Sequence, residues 1–187
     1  MKSIEVVLVP ILMLADYYLT VLGNFYRRKK YSEYYVIETY ELNPLWKKDI
    51  DSLKIFNYKH ILIVILFTAY FLSLSENANL YQFMIGNIFA LYGFINGRHL
   101  NNIFLFRFIY SHSDEVAGKV QMSHFLGLKM AQYQLAIVVL PFLLLTILQP
   151  NNYLYGGLFG FLVIFIGIQY WIRKHKKEIL KSLLDVE

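Results

Sequence analysis

Between Lys129 and Arg173 the chain carries no aspartate, glutamate, lysine or arginine. An uncharged stretch that long leaves few choices. An ion in hydrocarbon is costly, so chains that cross bilayers gather their charges into blocks between apolar runs. The rest of the sequence has the same organisation. Charged residues make up only 17% of the 187 residues, against about a quarter in globular domains, and they cluster. Five apolar segments reach or approach the ~20 helical residues that a bilayer requires: 4–25, 58–75, 80–96, 131–148 and 153–172.

The connections alternate in character. Residues 76–79 and 149–152 are short and carry no lysine or arginine, whereas 27–57 and 98–130 are long and basic. With five spans and the N-terminus outside, every one of the 18 basic residues except Lys2 falls on the cytoplasmic side, as the positive-inside rule requires. Removing any one span mixes basic and non-basic loops on one side. The expected fold is therefore all-α: a polytopic helical membrane protein with five transmembrane helices, N-out and C-in, and amphipathic helices in its cytoplasmic connections. It forms a single membrane domain over 1–187. The parts are a first span (1–26), a cytoplasmic segment (27–57), a hairpin (58–97), a second cytoplasmic segment (98–130), a second hairpin (131–172) and a basic tail (173–187). No small-x-small cleavage site follows the first apolar run, so it reads as an uncleaved anchor. Tyr153 and Tyr155 at one end of the last span, and Tyr170 and Trp171 at the other, suit the two membrane interfaces.

The two hairpins look alike. Sliding the chain so that Asn77 falls on Asn151 also places Leu80 on Leu154, Tyr81 on Tyr155, Gly86 on Gly160 and Gly93 on Gly167. A duplicated hairpin of one orientation would explain these matches, and such repeats are a transporter design. Gly93-x3-Gly97 and Gly156-x3-Gly160 are small-x3-small patterns that let helices approach closely, and packing within one chain is the expected use.

Several function classes fall away. The net charge of +5 does not point to nucleic acid, because the basic residues flank apolar spans. Those basic segments instead suit anionic lipid. Cysteine is absent, which removes disulfides, thiolate metal sites and cysteine nucleophiles. No phosphate-binding loop, nucleophile elbow or dinucleotide fingerprint is present, so no cofactor is indicated.

Asp16 is the sharpest candidate, because an acid inside a span is a functional hypothesis by default. Thr20 and Asn24 follow it at one-turn spacing, forming a polar stripe. At the end of span three stand Asn96, Arg98, His99, Asn101 and Asn102, with Asn96, His99 and Asn102 on one side. If spans one and three are neighbours, Asp16 meets Arg98 or His99. The bland alternatives are a hydrogen bond tying two helices and an ordinary polar helix end. A third group, His112, Asp114, Glu115 and His124, has the ligand chemistry of zinc or iron, but Ser113 with Asp114 and Glu115 also reads as a capped helix start. Glu38, Glu41 and Asn43 belong to the first cytoplasmic segment, as acids, headgroup contacts or a solvated face.

Asp16-x3-Thr20 followed by Glu41-Leu42-Asn43-Pro44 resembles the D-x3-T…E-x-N-P pattern of small uncharacterised prokaryotic membrane proteins. The resemblance covers about a quarter of the chain and implies a multi-pass protein of a prokaryotic plasma membrane, with no activity attached. The leading expectation is permeation of a solute, ion or proton through Asp16 and Thr20 with Asn96, Arg98, His99 and Asn102 opposite. Five short spans enclose little volume, so a homo-oligomer is expected with it. The alternatives are a lipid-acting enzyme at the cytoplasmic face, using the histidines and acids, and a non-catalytic anchoring subunit.

Overall fold

A computed structural model describes residues 2–37 and 45–184. The chain is predominantly helical. α1 (Lys2–Tyr26) runs through a π-helical turn (Arg27–Tyr31) into a short α2 (Ser32–Tyr34). After the one-turn α3 (Lys47–Asp51) come α4 (Tyr58–Ser73), α5 (Ala78–Ser111), α6 (His124–Leu148) and α7 (Asn152–Leu184).

Three helical stretches are long and apolar enough to cross a membrane: Ile4–Tyr34, His124–Leu148 and Asn152–Lys174. This is a helical membrane protein. α4 is shorter, at 16 residues, and α5 is long but carries Gln82, Asn87 and Asn96 within its apolar run.

α5 is the central helix. It packs on α7 and on α1, while α4 packs on α1 and α6 on α7. Asn96 of α5 reaches Leu12 of α1, and Phe106 meets Tyr31 further along, so these two helices run the same way. Phe83 meets Gly156 and Asn87 meets Gly160, so α7 runs that way too. α4 and α6 run opposite: His60 reaches Met13 while Tyr17 reaches back to Lys54, and Phe142 covers Gly157 while Lys176 sits over Phe125. The two short links therefore share one end of the bundle, and the basic blocks share the other.

Between helices in hydrocarbon, lipid is as apolar as a side chain, so close packing and interhelical hydrogen bonds hold the bundle. The glycines show this. A Cβ on Gly86 would strike the Tyr153 carbonyl, and one on Gly156 the Phe83 carbonyl. One on Gly160 would lie 2.7 Å from the Asn87 carbonyl oxygen. The Gly156-x3-Gly160 pattern thus works within the chain, as expected. Gly93-x3-Gly97 does not: nothing lies within 4 Å of a Cβ at either position.

The repeated residues behave in pairs. Asn77 accepts from the Leu80 amide at 3.1 Å, and Asn151 accepts from the Leu154 amide at 3.1 Å. Each such cap contributes about 1 kcal/mol. Gly86 and Gly160 both sit at the α5–α7 approach, and Gly93 and Gly167 are both open. Tyr81 and Tyr155 differ, the first buried and the second exposed. The hairpins differ as wholes: α6 lies directly on α7, whereas α4 packs on α1.

Two expectations for the connections are corrected. The fold is not wholly α, because β1 (Tyr35–Ile37) and β2 (Val120–Met122) pair in parallel, Tyr35 opposite Val120. And no helix begins at Ser113. α5 continues unbroken to Ser111, the chain turns through Gly118 at φ +86°, and α6 starts with Ser123 accepting from the Leu126 amide at 3.2 Å. Ser113 is engaged otherwise: Lys30 Nζ donates to its hydroxyl and Tyr34 to its carbonyl, each at 2.8 Å. These contacts tie the two basic segments together.

Candidate functional site

α1 is held in one rotation by its neighbours. Asn96 Nδ2 of α5 donates to the Leu12 carbonyl at 3.0 Å, and His60 Nε2 of α4 lies 3.0 Å from the Met13 carbonyl. His60 also stacks on Tyr17, with ring centroids 4.9 Å apart, and the Tyr17 hydroxyl donates to the Lys54 carbonyl at 2.7 Å. These contacts aim Asp16 and Thr20 at α5.

There they meet His99. Its Nε2 lies 3.2 Å from Asp16 Oδ1 and 3.0 Å from Thr20 Oγ1. The threonine hydroxyl has one proton, and it donates to the Asp16 carbonyl oxygen at 2.7 Å. The hydrogen between Thr20 and His99 must therefore come from Nε2, and the Asp16 carboxylate lies beside it. His99 Nδ1 is buried and has no hydrogen-bond partner among the described residues. Both side chains are partly enclosed, His99 at 18% exposure and Asp16 at 27%.

This trio lies on the wall of a groove. α1 and α7 meet at one end, where the Tyr153 hydroxyl donates to Glu5 Oε1 at 2.9 Å. Toward the basic end they part over α5, leaving a cavity of about 440 Å3. Its α1 wall is polar, with Asp16 and Thr20; Arg98, His99 and Asn102 stand on the α5 floor; and its α7 wall is apolar, with Val163, Ile164, Ile168 and Trp171 around Gly167.

Five of the six expected binding residues thus converge: Asp16, Thr20, Arg98, His99 and Asn102 line one cavity. Asn96 is buried beside it and serves the α1 backbone. Asn24 leaves the stripe, donating to the Ile50 carbonyl at 2.9 Å and accepting from Arg27. Asn101 is exposed. The expected metal group does not assemble: no cluster of three or more histidine, aspartate or glutamate side chains occurs among the described residues. His112 instead stacks on Phe108, 4.4 Å between centroids. Glu38, Glu41 and Asn43, and with them the E-x-N-P half of the resemblance, lie outside the described residues.

Sequence reasoning passed over Glu5 and His60. For Glu5 the usable signal was that it is, with Asp16, one of two acids in the first apolar run. His60 opens the second span one turn after the basic segment, where a histidine looks like an interface residue.

The bundle and this pair define a helical membrane protein with a partly enclosed carboxylate–imidazole contact. No protein-family model matches the chain, and no curated protein or solved structure shows significant similarity to it.

Proposed function

We propose that the chain crosses the bilayer five times, N-terminus outside, and carries a proton, ion or small solute through the Asp16–Thr20–His99 site, which opens to the cytoplasm. Several features support five spans. α4 with the 3-10 turn that follows it extends about 30 Å, close to the ~30 Å hydrocarbon core. α5 is polar because it is shielded: between Tyr81 and His99 only Gly93 and Gly97 are exposed, and polar residues are tolerated where they face the bundle interior. Arg27, Arg28, Lys29, Lys30, Arg173 and Lys174 gather at one end of the bundle, which favours that end as cytoplasmic. Because the chain has no cysteine, single introduced cysteines report cleanly. Asn79→Cys and Asn151→Cys are expected to react with an impermeant maleimide on intact cells, and Ser113→Cys only after permeabilisation. The reverse pattern would overturn the orientation.

The observation that carries the transport reading is the contact between the Asp16 carboxylate and His99 Nε2 on the wall of an amphipathic groove. A carboxylate and an imidazole in contact can take up and release one proton as a unit. Toward the Glu5 end the core is closed by Val9, Met13 and Ile85, all fully buried, so passage requires an alternate state in which Glu5 and Tyr153 separate. The test is proton entry into dye-loaded liposomes under an imposed potential. Wild-type protein is expected to exceed protein-free liposomes. Gly167→Phe is expected to suppress the flux, because position 167 faces the groove with nothing within 4 Å of its Cβ. Wild-type flux at the protein-free rate overturns the reading.

A further inference from the structure

A π-helical turn has more residues per turn than an α-helix, so it re-aims every side chain beyond its start. Here it covers Arg27–Tyr31. Tyr31 is thereby buried against Phe106, with ring centroids 4.3 Å apart, and stacks on Tyr35 at 4.5 Å. Lys29 is left among aromatic rings, its Nζ 4.8 Å from the Phe25 centroid, 5.4 Å from Tyr26 and 5.3 Å from Tyr110. Arg107 of α5 approaches the same Tyr26 ring at 5.7 Å. Tyr26, Lys29, Arg107, Phe108, Tyr110 and Ser111 line a pocket of about 430 Å3.

Two cations therefore converge on one ring. Neither forms an ion pair with a carboxylate among the described residues, although Glu33 follows Lys29 by one helical turn. Two cations lining one pocket favour an anion between them. A phosphate fits the donor set: arginine offers a planar fork of N–H groups and lysine a point charge. The surroundings select the source of that phosphate. Toward the bundle middle the flanking surface is apolar and exposed, with Leu22 and Phe25 on α1 and Phe104 on α5. Lys29 lies about one turn beyond the first apolar run, and tyrosines at such a level favour the headgroup layer.

We propose that Lys29 and Arg107, with the Tyr26 and Tyr110 rings, form a binding site for the phosphate of an anionic phospholipid whose acyl chains lie along Phe25 and Phe104. Arg107 is eight residues beyond His99, about 12 Å along α5, so this site is separate from the groove and stands whether or not the groove conducts.

The test is native mass spectrometry of the full chain released from mixed micelles of phosphatidylglycerol and phosphatidylcholine. Preferential retention of phosphatidylglycerol is expected. The double variant Lys29→Gln/Arg107→Gln is expected to lower that preference about tenfold or more, given the contribution of each basic residue near an anionic surface. Each single variant should lower it partly, and Lys29→Arg/Arg107→Lys should keep most of it. Both side chains are exposed, so the variants are expected to fold, which thermal melting in zwitterionic detergent checks. A second arm adds inorganic phosphate and glycerol phosphate as competitors. Retention that survives both competitors supports a lipid site, and displacement by inorganic phosphate at millimolar concentration would mean a small-anion site and overturn the lipid assignment. An unchanged preference in the double variant would sink the proposal outright.

Discussion

Replacing Asp16 with asparagine is expected to bring proton flux down to the protein-free rate while leaving the bundle folded. The two side chains have the same shape. The amide oxygen of asparagine can take the place of Asp16 Oδ1, 3.2 Å from His99 Nε2, and Thr20 still donates to the backbone carbonyl of residue 16. What disappears is the charge and the ability to take up a proton. Asp16 is partly open to the groove, so the stability change should stay near the ~1 kcal/mol of an ordinary hydrogen bond. His99→Ala removes the other half of the pair and should lose flux as well, with a larger drop in stability because the carboxylate is left without its partner. The measurements are dye-reported flux in liposomes and thermal melting of the purified protein. Full flux in a folded Asp16→Asn protein would remove the site from the transport reading and leave the pair as a tie between α1 and α5.

Leucine at Gly86 or Gly156 is expected to prevent α5 and α7 from packing. A Cβ at either position meets backbone, the Tyr153 carbonyl in one case and the Phe83 carbonyl in the other. A side chain in the way can change rotamer, and overpacking of that kind costs about 1–3 kcal/mol. A helix backbone has no such freedom, so the two helices must separate along their length, at a cost above that range. Even alanine should be damaging at these two positions. Gly93→Ala and Gly97→Ala are the matched controls, since nothing lies within 4 Å of either. There alanine should be neutral or gain up to ~1 kcal/mol of helix propensity. Unfolding in denaturing detergent, followed by circular dichroism, separates the two outcomes. Gly86→Ala with wild-type stability would show that the helices do not approach this closely.

Much of the candidate site was legible because polar residues are conspicuous in apolar helices. Asp16 and the Asn96–Asn102 cluster stood out for that reason, and their meeting follows once spans one and three are neighbours. The choice of His99 over Arg98 was not legible. Adjacent helical residues point about 100° apart, so only one of them can face α1, and which one depends on how α5 is rotated by its contacts with α7. The same applies to Asn24. It continues the one-turn spacing of Asp16 and Thr20, yet the Ile50 carbonyl claims it. Local signals also misled at Ser113, where a good capping sequence is outcompeted by Lys30 and Tyr34 from a segment far away in the chain.

By itself the sequence determined the helical membrane class and the clustering of polar residues at two levels of the chain. Both follow from local physics: the cost of charge in hydrocarbon and the 3.6-residue period. Only the tertiary structure decided that α5 stands at the centre, that Gly156-x3-Gly160 is filled while Gly93-x3-Gly97 is open, and that Asp16 lies against His99. Those outcomes depend on which helix faces which. In a bundle without a hydrophobic driving force between helices, that choice rests on a few backbone approaches and hydrogen bonds between residues distant in sequence, which no local pattern encodes.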